Sequence, residues 1–414
     1  MQVARSEFYV VTLPNGMHLV AEHIHGVRSA AVHFLVPAGA TTDPVGRDGA
    51  CGILEGMLFR GAGSRDARQL SDALDALGLQ RSGGPELEHI ALGGALLADD
   101  LGLALTLYAD ILRRPHLADG QFPPERDLAL MRLRRLDDNP MEKLFVELRR
   151  AYFPGPYGRS VYGAEESLAA LTAAEVRADY GRRFHPEGTI LGVAGRFEWE
   201  TLSETVHRLF GDWQGQAPPP PSPEVEGRLR YRHIPHESAQ EHIGVAYPAV
   251  PITAPDYYPG RMAVEVLSGG MSARLFTEVR EKRGLCYAVR AVYQTVRGAG
   301  LVMAYAGSTP DRCHGTVEVL LRELERLQEG VTEEEVYRAR TGLLSALIMQ
   351  SEASRPRAQF IARDQYLLGQ VRTIEEIREA VTAVTPDDIV DYLRRHPVGG
   401  FTIVTLGPRE LEIA

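Results

Sequence analysis

Residues 179–186 read Asp-Tyr-Gly-Arg-Arg-Phe-His-Pro, and residues 391–397 repeat this string as Asp-Tyr-Leu-Arg-Arg-His-Pro, one residue shorter. Before each copy stands a threonine with an acidic residue three positions later, which is a helix N-capping pattern. Each copy ends at a proline, which stops a helix, and an apolar, β-rich run follows. The shared string therefore predicts two homologous domains that arose by internal duplication.

A proline-rich segment separates the two copies. Residues 214–223 read Gln-Gly-Gln-Ala-Pro-Pro-Pro-Pro-Ser-Pro, and such a run fits neither inside a helix nor in a central strand. We therefore predict an N-terminal domain over residues 1–216, a linker over residues 217–223 and a C-terminal domain over residues 224–414. Strand and helix patterns are mixed in each half without strict alternation, which indicates an α+β fold. One long helical stretch is expected from Asp99 to Asp138.

Composition and charge exclude several classes of protein. The chain has 414 residues and a formal net charge of −10, with 44% hydrophobic and 24% charged residues. These fractions are typical of a folded globular protein, whereas a nucleic-acid-binding protein would normally be basic. No apolar run approaches the ~18 residues that a membrane span needs. Residues Met1–Pro14 lack the order of a signal peptide and the three cysteines (Cys51, Cys286, Cys313) lie far apart, so we expect a cytoplasmic protein.

The most informative stretch for function is residues 48–61, Asp-Gly-Ala-Cys-Gly-Ile-Leu-Glu-Gly-Met-Leu-Phe-Arg-Gly. It resembles the signature helix of the pitrilysin-type (M16) metallopeptidases, the inverted zincins. In that family the two histidines of a His-x-x-Glu-His motif bind zinc from one helix face, and the glutamate between them is the general base. The resemblance places Gly52 and Gly56 at the two histidine positions and Glu55 at the position of the base.

A second stretch aligns with the region of the third zinc ligand. The family takes this ligand from a glutamate pair on a later helix that ends in an Asp-x-Pro string. Alignment on residues 138–140, Asp-Asn-Pro, places Met131 and Arg132 at that pair. The resemblance thus implies that zinc finds no protein ligand in this chain, and a lone Glu55 cannot activate water without a metal. Alternatively, this helix never held a site, and its glycines, which cost ~1 kcal/mol each relative to alanine, allow another backbone to approach.

The resemblance extends over essentially the whole chain. Residues 156–159 (Pro-Tyr-Gly-Arg) and 163–167 (Gly-Ala-Glu-Glu-Ser) resemble the family's mid-domain segment. Residues 267–276 (Leu-Ser-Gly-Gly-Met-Ser-Ala-Arg-Leu-Phe) and 280–287 (Arg-Glu-Lys-Arg-Gly-Leu-Cys-Tyr) resemble its C-terminal-domain segment. The fold that the resemblance implies is a pair of homologous M16-type (LuxS/MPP-like) α/β-roll domains.

Arg280 and Tyr287 are the candidate substrate-binding residues. In the family, an arginine and a tyrosine with this spacing face the zinc and hold carbonyl groups of the substrate near the scissile bond. Guanidinium and phenol groups are hydrogen-bond donors, so both can steady a carbonyl or a developing oxyanion. The structural alternative is that Arg280 complements the dipole of a helix that ends at Gly284, and that Tyr287 is an ordinary strand residue.

These features together predict a subunit without zinc. In bacterial members of this size two chains close around a chamber, and in some heterodimers one chain binds zinc while the other supplies the arginine and the tyrosine. Resemblance to the second type implies no peptidase activity alone and no bound cofactor. The implied partners are unfolded peptides and a zinc-binding M16 chain of similar length with an intact His-x-x-Glu-His motif. Two alternatives stay open: a structural or assembly subunit, as in respiratory complexes, and an autonomous peptidase with an unusual metal site.

Overall fold

The first half of the chain begins with three strands and continues into a mixture of helices and strands. The computed structural model describes residues 7–411, so part of the leader prediction for Met1–Pro14 lies outside the described residues. The strands are β1 Glu7–Thr12, β2 His18–His23, β3 Ser29–Val36, β4 Gly61–Ala62, β5 Arg65–Asp66, β6 Gln80–Pro85, β7 Ile90–Leu97 and β8 Ile190–Gly195. The helices are α1 Ala50–Leu58, α2 Ala67–Ala76, α3 Leu101–Arg113, α4 Phe122–Arg134, α5 Pro140–Tyr152, α6 Glu165–Ala170, α7 Ala173–Arg183 and α8 Trp199–Phe210.

The second half has a similar order of elements with fewer strands. Its strands are β9 Tyr231–Pro235, β10 Glu241–Ala249, β11 Cys286–Val296, β12 Ala299–Ser308 and β13 Thr402–Gly407. Its helices are α9 Tyr257–Ser268, a π-helix Phe276–Glu281, α10 Cys313–Glu325, α11 Glu333–Ser351, α12 Ser354–Leu368, α13 Ile374–Ala383 and α14 Pro386–Arg395. The segment between α8 and β9, which includes the proline run, contains neither helix nor strand.

The two halves build sheets of the same topology. The first sheet has the strand order β1-β2-β8-β3-β7-β6, and the second has the order β11-β12-β10-β13-β9. When the second order is reversed, it matches the series β2-β8-β3-β7-β6 of the first sheet. The pairs β2 with β8 and β9 with β13 are parallel, and the later pairs of each series are antiparallel. This shared order confirms the predicted α+β fold and the duplication.

Each compact unit of the structure contains a segment from the other half of the chain. One unit consists of the chain up to Arg135, Arg159–Pro221 and Gln350–Val371, and the other of Leu136–Gly158, Ser222–Met349 and the chain from Arg372 onward. Helix α5 therefore packs on β10 and β13, and helix α12 packs on β3 and β8. These units do not coincide with the contiguous ranges 1–216 and 224–414, because the linker marks where the sequence repeats and not which sheet a helix covers.

Glycines in the sheets permit this close packing of α5 and α12. A Cβ atom at Gly192 in β8 would lie 3.0 Å from the Cβ of Ala362 and still closer to the carbonyl oxygen of Ala358, so the α12 backbone lies directly on the sheet. A Cβ atom at Gly244 in β10 would lie 3.2 Å from side-chain atoms of Leu144 and Leu148 in α5. Larger residues at either glycine would push the helix away from its sheet.

A buried ion pair also connects α12 to its sheet. Arg357 of α12 donates from Nε to Oε2 of Glu22 in β2 at 2.7 Å, and both side chains are buried. Removal of either partner would leave a buried charge unpaired, at a cost of about 3 kcal/mol or more. The position of α12 on the first sheet therefore depends on a polar contact as well as on apolar packing.

The long helix expected from Asp99 to Asp138 is divided into two. Helix α3 ends at Arg113 and helix α4 begins at Phe122. Pro115 lies in the break, and Leu117 has a φ of +45°, which no right-handed helix accommodates. Neither these helices nor any other within residues 7–411 are both long enough and apolar enough to cross a bilayer.

Candidate functional site

A buried aspartate holds the N-terminus of α1. Asp43 accepts hydrogen bonds from the backbone N–H groups of Gly49 (2.8 Å) and Cys51 (2.9 Å), which have no acceptor inside the helix. Arg183 is completely buried and forms ion pairs with Asp43, at 3.2 Å, and with Asp179. Burial raises the pKa of Asp43 to about 6, although the Arg183 guanidinium opposes this shift. The beginning of α1 is therefore fixed by a network of buried charges.

The repeated sequence string has the same role in both units. The second copy of the string lies in the unit that contains Ser222–Met349. There Arg395 and His396 each contact Asp256 at 2.8 Å. Asp256 directly precedes α9, which follows β10 just as α1 follows the equivalent strand β3. The string thus connects its own helix to the first α-helix of the same half of the chain, which is a structural role.

The second histidine position of the motif, Gly56, lies against a glutamate from another helix. Glu125, in the first turn of α4, is only 3% exposed. A Cβ atom at Gly56 would lie 2.8 Å from Cδ of Glu125 and closer still to its Oε2. The other oxygen, Oε1, accepts a hydrogen bond from Nε of Arg60 within an ion pair. Any side chain at position 56, a histidine included, would displace Glu125 and strain this pair.

The first histidine position, Gly52, borders an open cavity. A Cβ atom at Gly52 would make only ordinary contacts, at 3.6 Å to the carbonyl oxygen of Val161 and 3.9 Å to Pro85. The cavity has a volume of ≈ 420 Å³, and its lining includes Glu55 of α1 and Arg132 of α4. The space that an imidazole would take at position 52 is therefore still present.

Glu55, at the position of the general base, is half-buried beside this cavity. Burial raises the pKa of Glu55, the guanidinium groups of Arg132 and Arg81 oppose the shift, and the Glu125 carboxylate adds to it. A carboxyl group with a raised pKa can accept a proton from water that a metal has activated. The sequence alignment places Met131 and Arg132 at the glutamate pair of the family, and Arg132 brings a positive charge to the cavity.

A zinc ion does not fit the residues at this site. Protein-bound zinc needs imidazole nitrogen, thiolate sulfur or carboxylate oxygen in a roughly tetrahedral set. Gly52 and Gly56 have no side chain, the guanidinium of Arg132 is not a ligand, and the thioether side chain of Met131 is 63% exposed. Within residues 7–411 no group of three or more His, Cys, Asp or Glu side chains is arranged to hold a metal ion.

Arg280 lies in a π-helix, stacked between two aromatic rings. The π-helix Phe276–Glu281 is followed by Gly284, whose φ of +59° ends the turn as predicted. Such π-turns are rare and often occur at functional sites. Cζ of Arg280 lies 4.7 Å from the centre of the Phe276 ring and 4.8 Å from the centre of the Tyr287 ring. Within residues 7–411 its guanidinium forms no ion pair or side-chain hydrogen bond, so its N–H donors are available.

Tyr287 is the extra residue of a β-bulge at the start of β11. The register with β12 shifts between Cys286 and Ala288, so Tyr287 has no residue opposite it in that strand. Bulges redirect side chains and are common beside active sites. The Tyr287 side chain is 76% exposed and its ring lies on Arg280. Two different backbone irregularities thus bring the two predicted residues together.

Reasoning from the sequence did not single out Glu125 or Phe276. Glu125 precedes Arg132 by two helical turns and so shares its helix face, which is the signal that could have identified it. Phe276 precedes Arg280 by four residues, the spacing of neighbours on a helix surface. The role of Glu125 became apparent only from its contact with Gly56 of α1, and that of Phe276 only from the position of the Arg280 guanidinium over its ring.

Both halves of the chain are similar to models of one peptidase family. Residues 18–165 match the model described as Insulinase (Peptidase family M16), and residues 170–343 match the model described as Peptidase M16 inactive domain. A Mycobacterium tuberculosis protein named an uncharacterized zinc protease is 30% identical over 409 residues, with 96% of this chain and 92% of the relative covered. A Bacillus subtilis protein, the uncharacterized zinc protease YmxG, is 23% identical over 401 residues, with coverage of 96% and 97%.

Solved structures share the fold. A peptidase M16 inactive domain from Pseudomonas fluorescens superimposes with a TM-score of 0.88 at 18% identity, with 98% of this chain and 99% of that chain covered. A protease from Helicobacter pylori superimposes with a TM-score of 0.89 at 18% identity, with coverage of 97% and 100%. At this level of identity the likeness concerns the fold, and it agrees with the pair of equivalent sheets.

Proposed function

The chain belongs to peptidase family M16, and we propose that it acts there as the zinc-free subunit of a two-chain peptidase. The observation that carries the proposal is the geometry at Gly56, where the buried Glu125 carboxylate takes the space of a ligand side chain. With Gly52 aligned at the first histidine position and Met131 and Arg132 aligned at the glutamate pair, hydrolysis needs a zinc ion held by another chain. The proposed partner is a zinc-binding M16 chain of similar length with an intact His-x-x-Glu-His motif.

Arg280 and Tyr287 are the proposed contacts to the substrate. Their N–H and O–H groups can donate hydrogen bonds to peptide carbonyls and to the oxyanion that forms when water attacks at the partner's zinc. Because Arg280 is stacked on two rings, its planar group is already oriented and loses less freedom on binding. The proposed substrates are unfolded peptides, since the carbonyl groups of a folded chain are mostly bonded internally.

The experiment that tests this role compares peptide turnover by reconstituted pairs. The partner is combined with wild-type chain, with Arg280→Ala, with Tyr287→Phe and with both changes together. Loss of an oxyanion donor typically costs about a hundredfold in rate, so we expect kcat/KM to fall by roughly that factor for Arg280→Ala. The zinc content of the partner should not change.

A matched control distinguishes the specific position of Arg280 from a general effect of positive charge in the same segment. Lys282→Ala removes one positive charge from the same segment, but Lys282 is exposed and already paired with Glu278 at 2.7 Å, so turnover should stay at the wild-type level. If the Arg280 and Tyr287 variants form the complex and also keep wild-type turnover, the assigned role is wrong. The chain would then be a structural or assembly subunit, which contributes to the complex without processing peptides.

A further inference from the structure

Two charged residues, Glu55 and Arg132, line the cavity beside Gly52. The Arg81 guanidinium and the Glu125 carboxylate also act on Glu55. The ion pair of Arg60 with Glu125 accounts for one charge of each sign. Arg132 and Arg81 both act on the Glu55 carboxylate, and within residues 7–411 neither arginine forms an ion pair or side-chain hydrogen bond. The Glu55 carboxylate therefore has two guanidinium groups acting on it, so that among these groups one positive charge is uncompensated.

We infer that this cavity binds a carboxylate group of a peptide, with Arg132 as its cationic contact. The volume of ≈ 420 Å³ is within the ~300–1,000 Å³ of small-ligand sites. Nothing lies within 4 Å of a Cβ position at Gly84, and the nearest atom at Gly52 is 3.6 Å away, so a ligand can approach the backbone on both sides. A guanidinium can hold a carboxylate through two parallel N–H···O bonds.

A peptide is favoured over a free anion because of the strand that borders the cavity. Gly83, Gly84 and Pro85, which line it, belong to β6, the last strand of its sheet. Among the described strands β6 pairs with β7 alone. The carbonyl oxygen of Gln80 accepts a hydrogen bond from Arg355, and the other backbone groups along the outer edge of β6 are available to the main chain of a ligand. The carboxylate itself can come from an Asp or Glu side chain or from a peptide C-terminus.

This inference rests on the proposed binding of peptides, but it uses neither Arg280 and Tyr287 nor the zinc of a partner. It is tested on the purified chain alone by fluorescence anisotropy with three labelled neutral pentapeptides. One has an amidated C-terminus, one has a free C-terminus, and one is amidated with a central aspartate. We expect at least one carboxylate peptide to bind ten times or more tightly than the neutral amide, and the better of the two identifies the source of the carboxylate.

Variants on α4 locate the contact. Arg132→Gln should abolish the tenfold preference, and Arg132→Lys, which keeps the charge but loses the paired N–H donors, should retain part of it. Arg135→Gln is the control, because Arg135 is exposed at the end of the same helix and does not line the cavity, so the preference should persist. Arg132 is exposed as well, and unfolding midpoints will show whether all three variants are folded.

The inference is overturned if the wild-type chain binds the three peptides equally or binds none of them, or if Arg132→Gln keeps the preference. Those results leave the proposed function standing, because that proposal is tested by turnover of the reconstituted pair with changes at Arg280 and Tyr287. Conversely, unchanged turnover in that assay would refute the proposed function without altering the peptide preference of the chain alone.

Discussion

The two glycines of helix α1, one helical turn apart, should respond in opposite ways to the same substitution. At Gly52 an added Cβ finds ordinary contacts at 3.6 Å, and alanine is preferred over glycine inside a helix by ~1 kcal/mol. Gly52→Ala should therefore stabilise the protein by up to about 1 kcal/mol. At Gly56 the added Cβ would lie 2.8 Å from Cδ of Glu125, so that the buried carboxylate must move.

The cost at Gly56 follows from the ion pair that is disturbed. Separation of a buried ion pair costs about 3 kcal/mol, a value at the lower end of the measured range because the Arg60 side chain is 37% exposed. Set against the ~1 kcal/mol gained from helix propensity, Gly56→Ala should destabilise the protein by about 2 kcal/mol. For units of this size, 1 kcal/mol corresponds to a shift of about 3 °C in Tm.

Thermal unfolding of the two single variants and of one double variant tests this reasoning. Gly52→Ala should raise the Tm by up to about 3 °C, and Gly56→Ala should lower it by about 6 °C. In a Glu125→Ala background, Gly56→Ala should cost nothing further, because the obstructing carboxylate is gone. If Gly56→Ala is as stabilising as Gly52→Ala, or if its cost persists without Glu125, the carboxylate does not occupy the ligand position as described.

Three further outcomes are expected. Metal analysis of the purified chain should find no stoichiometric zinc, and tightly bound zinc together with chelator-sensitive peptidase activity would refute the interpretation of Gly52 and Gly56. The two halves of the chain, divided within residues 217–223, should be insoluble when expressed separately but should copurify when coexpressed, because each sheet is covered by a helix of the other half. A soluble, folded single half would contradict the exchange of α5 and α12. Burial alone would raise the pKa of Glu335, but hydrogen bonds from Arg274 lower it to about 2, so the pair contributes stability above pH ~4.5 that is lost as the pH falls towards 2. The unfolding midpoints at pH 6 and pH 3 should therefore differ less for Glu335→Gln than for wild type. An unchanged difference would show that the pair does not titrate in this way.

The sequence alone determined the features that depend on neighbouring residues. The spacing of Thr172 with Glu175 and of Thr385 with Asp388 predicted two helix starts, and both pairs form reciprocal capping boxes. The repeated string predicted two equivalent halves, and the sheets have the same strand order. That positions 52 and 56 supply no metal ligand could also be read directly, because a glycine has no side-chain donor in any conformation.

Only the tertiary structure decided how distant parts of the chain meet. The sequence could not predict which sheet α5 and α12 cover. The two sheets share a strand order, and an apolar helix face does not specify which of them it packs on. The same limit applies to Glu125 against Gly56 and to Arg280 between Phe276 and Tyr287. Helical and strand periodicity reports which side of an element is buried, whereas the atom that lies opposite is set by packing between segments tens to hundreds of residues apart.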